Sequence, residues 1–327
     1  MVREILLGLL AIALGALGAF IISRFGCLLG LIDKPTTRSS HSYETPKGGG
    51  IGMAAAFLLA AVCLHLPAAF WLPLGIMAGL SLRGDHVEIS PRLRLPMQFV
   101  CIGILVIGTS EGIVQAHPMI LIVLFWIVFI VGTANFYNFM DGINGIAGIS
   151  GVVGFGLLAL ATYKELPQGG FLAACMALAC LGFLPFNLPR ARVFMGDVGS
   201  ILLGSVFAGL VYLASRTLLD FLCLASFLFP FYADELTTMF IRLRAGEKLT
   251  QAHRRHIYQL LANERQIPHW RISAGYGFFQ LLVGASILKA KMFGVAVVLA
   301  VLATWFGLFV IGGYFIRKRV KGNNNSR

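Results

Sequence analysis

Acid is scarce in this chain: 14 Asp and Glu stand against 26 Lys and Arg in 327 residues, and only 12% of the sequence is charged. So few charges leave no segment able to form a soluble domain. The six cysteines form no CxxC pair and fall in or beside apolar runs. That excludes a sequence-encoded thiol metal or redox motif and leaves them as small apolar packing residues. No internal repeat is visible, which speaks against a transporter built on inverted repeats. Polar–apolar alternation is also missing from the long apolar runs, which excludes a barrel and leaves helices as the only way to satisfy the backbone in lipid.

What is present is hydrophobic sequence, 58% of all residues. Apolar runs near the bilayer-spanning length of roughly 20 residues recur along the chain. They predict an all-α polytopic membrane protein with eleven spans near 4–24, 48–65, 68–82, 95–108, 118–137, 144–162, 169–185, 199–214, 217–240, 272–288 and 291–315. The first run is longer than a signal-peptide core, and its stronger basic flank, Arg24, follows it, so it reads as a retained helix. Residues 1–316 form one transmembrane domain, and 317–327 are expected to be a basic, disordered tail.

An odd number of spans puts the termini on opposite sides. With the N-terminus outside, the inner loops 25–47, 83–94, 138–144, 186–198 and 241–271, together with the tail and with Arg24 at the inner end of the first span, hold 21 of the 26 Lys and Arg. That bias orients the chain with its C-terminus in the cytoplasm. The net charge of +12 then reads as a basic inner face beside the lipid bilayer. Such a face suits anionic headgroups or phosphorylated substrates, not nucleic acid.

The unusual residues lie on that same face. Arg38 precedes Thr45-Pro46-Lys47-Gly48-Gly49-Gly50, where glycines open a span. A helix N-terminus with a lysine beside it suits a phosphate, and a close helix crossing would use the same glycines. Arg83-Gly84-Asp85 opens a loop that mixes acids and bases, as a solvated loop also would. Asn135, Asn138 and Asp141 recur every three residues, so they share a helix face. Capping explains one of the three, and a ligand or polar cavity explains all. Asp197, in Met195-Gly196-Asp197-Val198-Gly199-Ser200, reads as an N-cap, a metal ligand, or both. Hard oxygen donors beside phosphate sites imply Mg²⁺ or Mn²⁺ rather than zinc. Asp234 lies within the ninth span, where an acid is a functional candidate by default. His253 and His256 share a helix face, and the arginines between them, Arg254 and Arg255, favour an anion over a metal.

These stretches resemble the polyprenyl-phosphate N-acetylhexosamine-1-phosphate transferases, glycosyltransferase family 4. The likeness runs over residues 34–260 and rests on Thr45–Gly50, Asn135-x-x-Asn138-x-x-Asp141-Gly142, Val193–Ser200 and His253-x-x-His256. The wording of Asn138–Gly145 and His256–Gln259 is most similar to the subgroup that starts O-antigen and related surface glycans. The resemblance implies transfer of a sugar-1-phosphate from a UDP-N-acetyl sugar to undecaprenyl phosphate, with release of UMP. It implies a Mg²⁺ enzyme of the bacterial inner membrane, its site facing the cytoplasm, and a homodimer would fit it. Asp197 is the implied metal ligand, and Asp85 the implied acceptor-phosphate residue. Asp141, His253 and His256 join them as implied catalytic residues. Arg38, Lys47, Gly48, Gly49, Asn135, Asn138, Asn144, Asp234, Arg254 and Arg255 are the implied substrate contacts. The chain departs from the family pattern at Gly84, where a second aspartate is usual, and at Asn144, where aspartate is frequent. The competing readings are a transporter of a phosphorylated solute, which should place polar groups at mid-membrane, and a catalytically weakened paralogue, which Gly84 alone supports.

Overall fold

The computed structural model describes residues 2–35, 40, 43–87, 89–110, 118–248 and 253–324. Arg38 lies outside the described residues. Among the described residues the fold is all-helical apart from one ribbon of two two-residue strands. Helices α1 (Val2–Phe25), α2 (Ile51–Cys63), α3 (Ala68–His86), α4 (Pro91–Thr109), α5 (Pro118–Met140), α6 (Ile146–Thr162), α7 (Pro167–Asn187) and α8 (Gly196–Ala214) account for the first eight expected spans. Seven described helices are long and apolar enough to cross a membrane, and α2 and α6 are shorter apolar helices. Large apolar side chains such as Leu121, Leu160 and Phe278 stand exposed on the outer surface, as lipid-facing residues do. The protein is a polytopic membrane protein.

The ninth expected span does not form one helix. It divides into α9 (Leu218–Ala225), a 3₁₀ turn at Ser226–Leu228 and α10 (Phe229–Arg244). Pro230 sits in the first turn of α10; it has no N–H for the preceding turn, so the helix restarts there. The α9 start is fixed by a reciprocal cap between Thr217 and Asp220, which satisfies two terminal N–H groups. A short helical turn, α11 (Ile257–Gln259), precedes α12 (His269–Ala290) and α13 (Val295–Asn324). The last helix thus runs well past 316: residues 317–324, expected to be disordered, are helical.

Helix α8 occupies the centre, with 78% of its most apolar window buried, against 6% for the peripheral α13. Its glycines let neighbours approach closely. A methyl group on Gly50 would lie 2.3 Å from the Gly199 Cα, so α2 and α8 meet backbone to backbone. Ribbon β1 (Ile32–Asp33) with β2 (Thr45–Pro46) leads into this crossing. From there the chain pairs with the α7–α8 connection: Phe194 N–H donates to Pro46 O at 2.8 Å, Gly49 N–H to Phe194 O at 2.9 Å and Gly50 N–H to Met195 O at 2.8 Å. This mixed backbone ladder seats Lys47 beside the first turn of α8.

Candidate active site

A cavity of about 340 Å³ opens at the end of the bundle where α3 and α5 finish and α8 begins. Asp85, Asp141 and Asp197 line it together with Lys47, Asn138 and Asn144. These are residues from four separate loops of the sequence, brought to one place.

Asp197 sits in the first turn of α8, just after Gly196, whose φ of +74° only glycine adopts readily. One carboxylate oxygen accepts from Asn138 Nδ2 at 2.8 Å, and the other is paired with the Arg94 guanidinium. Asn138 Nδ2 also lies 2.8 Å from Ser200 Oγ, so it ties α5 to α8 at the cavity floor. Asp85 does not point freely into the cavity. Its two oxygens accept the backbone N–H groups of Asp197 and Val198, each at 3.1 Å. It therefore caps α8 from a different helix, filling the role that Asp197 would have as its own cap. Asp141 follows the last residue of α5, and no hydrogen bond to its carboxylate is formed by the described residues.

The Asp197 charge raises the proton affinity of the two acids beside it. Asp85, in the last turn of α3 beyond the apolar segment, is pushed up to about 6 by burial and then by the Asp197 charge, against the two N–H bonds and Lys47. Asp141 is pushed up to about 7, by burial first and then by Asp197 and Asp85. Such a site favours a cation. Among the described residues no three His, Cys, Asp or Glu side chains converge into a metal cage. One or two carboxylates with room left for phosphate oxygens is the donor pattern that suits Mg²⁺, and Asp197 and Asp141 fit it.

Several expected site residues lie elsewhere or are already engaged. Gly49 N–H is consumed by Phe194 O, so the glycine run serves close packing, and no phosphate cradle forms at that N–H. Gly48 has φ +99° and shapes the same turn. Asn135, one turn deeper on α5, donates to Gln98 Oε1 at 2.7 Å and to Val131 O at 2.8 Å, joining α4 to α5 outside the cavity. Asp234 is fully buried beneath the 253–259 segment. It accepts from Ile257 N–H at 2.9 Å and from the Tyr276 hydroxyl at 2.7 Å. His256 is buried against the same acids, 3.7 Å from Asp234 and 3.4 Å from Glu235. The pair anchors the segment instead of lining the cavity. His253 stacks near His256, its ring centre 4.8 Å away. Burial and the neighbouring His256 and Arg242 charges hold it down to about 4. Arg255 pairs with Glu247 at 2.6 Å, half exposed. Neither Arg254 nor Arg255 lines the cavity.

What reaches the cavity from this segment is Gln259. Tyr258 locks it in place by donating to Phe139 O at 2.9 Å, and Gly142 leaves room for that phenol, since a methyl group there would lie 2.2 Å from its oxygen. His269, at the start of α12, also lines the cavity and accepts from Asn144 N–H through Nδ1 at 3.3 Å. Arg94, Ser200, Gln259 and His269 were not singled out by sequence reasoning. Ser200 stood inside a noted motif, and nothing local marked His269. At Gly84 an added methyl group would meet Ile89 at 3.8 Å, an ordinary contact, so the missing second aspartate is not excluded by crowding.

Residues 67–215 match glycosyl transferase family 4. The match covers just under half of the chain. The matched segment runs from α3 through α8 and contains Asp85, Arg94, Asn138, Asp141 and Asp197, the whole carboxylate cluster. A phospho-N-acetylmuramoyl-pentapeptide-transferase of Staphylococcus saprophyticus is 31% identical over 142 residues, covering 41% of this chain and 43% of that protein. An undecaprenyl-phosphate alpha-N-acetylglucosaminyl 1-phosphate transferase of Thermotoga maritima is 26% identical over 84% of this chain and 86% of its own length. A decaprenyl-phosphate N-acetylglucosaminephosphotransferase of Mycobacterium tuberculosis is 26% identical over 74% and 70%. The chain thus spans less than half of the length of the staphylococcal relative and more than two thirds of that of the other two.

Proposed function

We propose that this protein transfers an N-acetylhexosamine-1-phosphate from a UDP-sugar to undecaprenyl phosphate, releasing UMP and leaving undecaprenyl-diphospho-sugar. The observation that carries this reading is the shared cavity of Asp85, Asp141 and Asp197 with Lys47 at its rim. Clustered acids suit a divalent cation, and the lysine suits a phosphate. The names of the Thermotoga and Mycobacterium relatives supply the acceptor class, a polyprenyl phosphate, and the transferred group, an N-acetylglucosamine phosphate. Bound Mg²⁺, held by Asp197 and Asp141, would offset the charge of the diphosphate. An oxygen of the acceptor phosphate attacks the sugar-bearing β-phosphorus. The bond to the bridging oxygen breaks, and that oxygen leaves on UMP. Lys47 neutralises phosphate charge, Asn138 holds Asp197 in place, and Asp85 fixes the helix turn that presents it. With a cation on the Asp197 carboxylate, Arg94, now paired with that carboxylate, would pair with a phosphate oxygen instead. The basic face and cavity lie on the cytoplasmic side of a bacterial inner membrane, and O-antigen or a related surface glycan is the product line.

Incubating membranes with undecaprenyl phosphate, Mg²⁺ and a panel of UDP-N-acetyl sugars should release UMP with at least one sugar. Asp197→Ala should reduce that release by about two orders of magnitude or more, as loss of a transition-state charge contact does. A panel with no turnover would overturn the reading, and an Asp197→Ala variant with unchanged turnover would remove Asp197 from the metal site.

A further inference from the structure

Asp234, on α10, is wholly buried and does not line the carboxylate cavity, yet it joins four helices. Its two oxygens accept the Ile257 N–H of α11 at 2.9 Å and 3.0 Å. The Tyr276 hydroxyl of α12 donates to it at 2.7 Å, and the Thr238 hydroxyl, one turn further along α10, donates at 3.2 Å. The same Thr238 oxygen accepts from Arg317 Nη2, on α13, at 3.2 Å. Arg317 also reaches the Arg255 carbonyl at 3.5 Å. A chain of hydrogen bonds therefore runs from a guanidinium on the last helix to the backbone N–H that starts α11.

The end of α13 is patterned to deliver that guanidinium. Between 311 and 320 the buried or half-buried residues are Gly313, Ile316, Arg317 and Val320, whereas Lys318 and Arg319 are exposed. Spacing of i, i+3, i+4 and i+7 puts the four on one inward stripe. Gly313 sets the approach, since a methyl group there would lie 2.6 Å from Ile257 Cδ1. The stripe brings a permanent cation to a layer that holds two buried acids, Asp234 and Glu235, and buried acids need a compensating charge. His256 supplies part of it, 3.7 Å from Asp234 and 3.4 Å from Glu235. Ile257 opens the turn that ends at Gln259, the residue of this turn that lines the carboxylate cavity. We propose that Arg317 is a positioning residue: it clamps the 255–259 segment onto Asp234 and so sets Gln259 against the bound nucleoside diphosphate. The ligand named here rests on the function proposed above.

Two readouts on the full chain in detergent test the clamp: amide hydrogen exchange over 255–261, and binding of UDP with Mg²⁺. Arg317→Ala should speed exchange in that segment about fivefold or more. It should also weaken UDP binding about fivefold, as loss of one hydrogen-bonded contact does. Gln259→Ala should weaken UDP binding by the same factor. The double variant should bind no more weakly than either single one, because Arg317 acts through Gln259. A double variant about 25-fold weaker, the product of two independent effects, overturns the proposal. Parent-rate exchange in Arg317→Ala overturns it too. Lys318→Ala, exposed on the same turn, should bind UDP as the parent does; equal weakening there would assign the effect to the basic face as a whole and overturn the clamp. Should Arg317→Ala fail to fold, Thr238→Val removes the shared hydroxyl and takes its place in the cycle. The UMP assay is separate. A parent that binds no UDP, or releases no UMP with any sugar, sinks the proposed function, and the exchange readout still decides the clamp.

Discussion

At the scale of single residues, the three acids do different work although the sequence presents them alike. Asp85 spends both oxygens on backbone N–H groups, Asp197 is shared between Asn138 and Arg94, and Asp141 faces the cavity without such partners. Asp141 therefore carries the clearest pH signature. Its acid is raised from an ordinary value near 3.8 to about 7. A raised carboxyl gives stability that is fully present below the unfolded value and lost as pH rises through the folded one. Removing the charge with Asp141→Asn should thus raise the melting temperature by a few degrees at pH 8 in the absence of divalent cation, and change little at pH 4. Melting curves of both proteins at the two pH values check this; equal shifts at both would mean that the charge is not the cause. Asp141 and Asp197 were legible as candidates because isolated acids in an apolar chain need a reason. Arg94 was not, because a basic residue on an inner loop already satisfies the orientation rule and draws no notice.

At the scale of elements, the first turn of α8 is the hub. It is capped by α3 through Asp85, crossed by α2 at Gly50 and Gly199, and joined to α5 through Asn138. A capping role and a proton-transfer role for Asp85 make different predictions. Asp85→Asn keeps an oxygen acceptor for the turn, whereas Asp85→Ala leaves two N–H groups without their partner and costs about 1 kcal/mol. UMP release by Asp85→Asn should therefore exceed that of Asp85→Ala by about fivefold. Equal and severe losses would point to a chemical role for the carboxylate itself. The other instructive element is the 253–259 segment. The spacing of His253 and His256 was visible, and their direction was not. Two buried acids on α10 turn His256 inward, so Gln259 and Tyr258 become the residues that reach or brace the cavity. The break between α9 and α10 was equally hidden, since a run of apolar residues does not announce that a proline within it starts a new helix.

At the scale of the whole molecule, the asymmetry of charge and the position of the cavity make one prediction about the membrane. If the cavity faces the cytoplasm, the α6–α7 turn at Lys164 lies outside and the Glu264 turn before α12 lies inside, both being exposed. In a Cys27→Ser background, since Cys27 is exposed, Lys164→Cys should react with a membrane-impermeant maleimide in intact spheroplasts. Glu264→Cys should react only after permeabilisation. The reverse pattern would place the cavity on the outer face.

The sequence by itself determined that the chain is a helical membrane protein, because apolar length, scarcity of charge and lack of alternation leave no other way to satisfy the backbone in lipid. It also determined which acids were worth asking about. Only the tertiary structure decided their roles. Asp85 and Asp197 are separated by more than a hundred residues, and whether a carboxylate caps a helix, meets an arginine or faces an open cavity depends on which helix ends pack together. That packing is set by close glycine crossings such as Gly50 on Gly199 and by the short backbone ladder beside α8. These are contacts between distant segments, and no local pattern of residues encodes their partners.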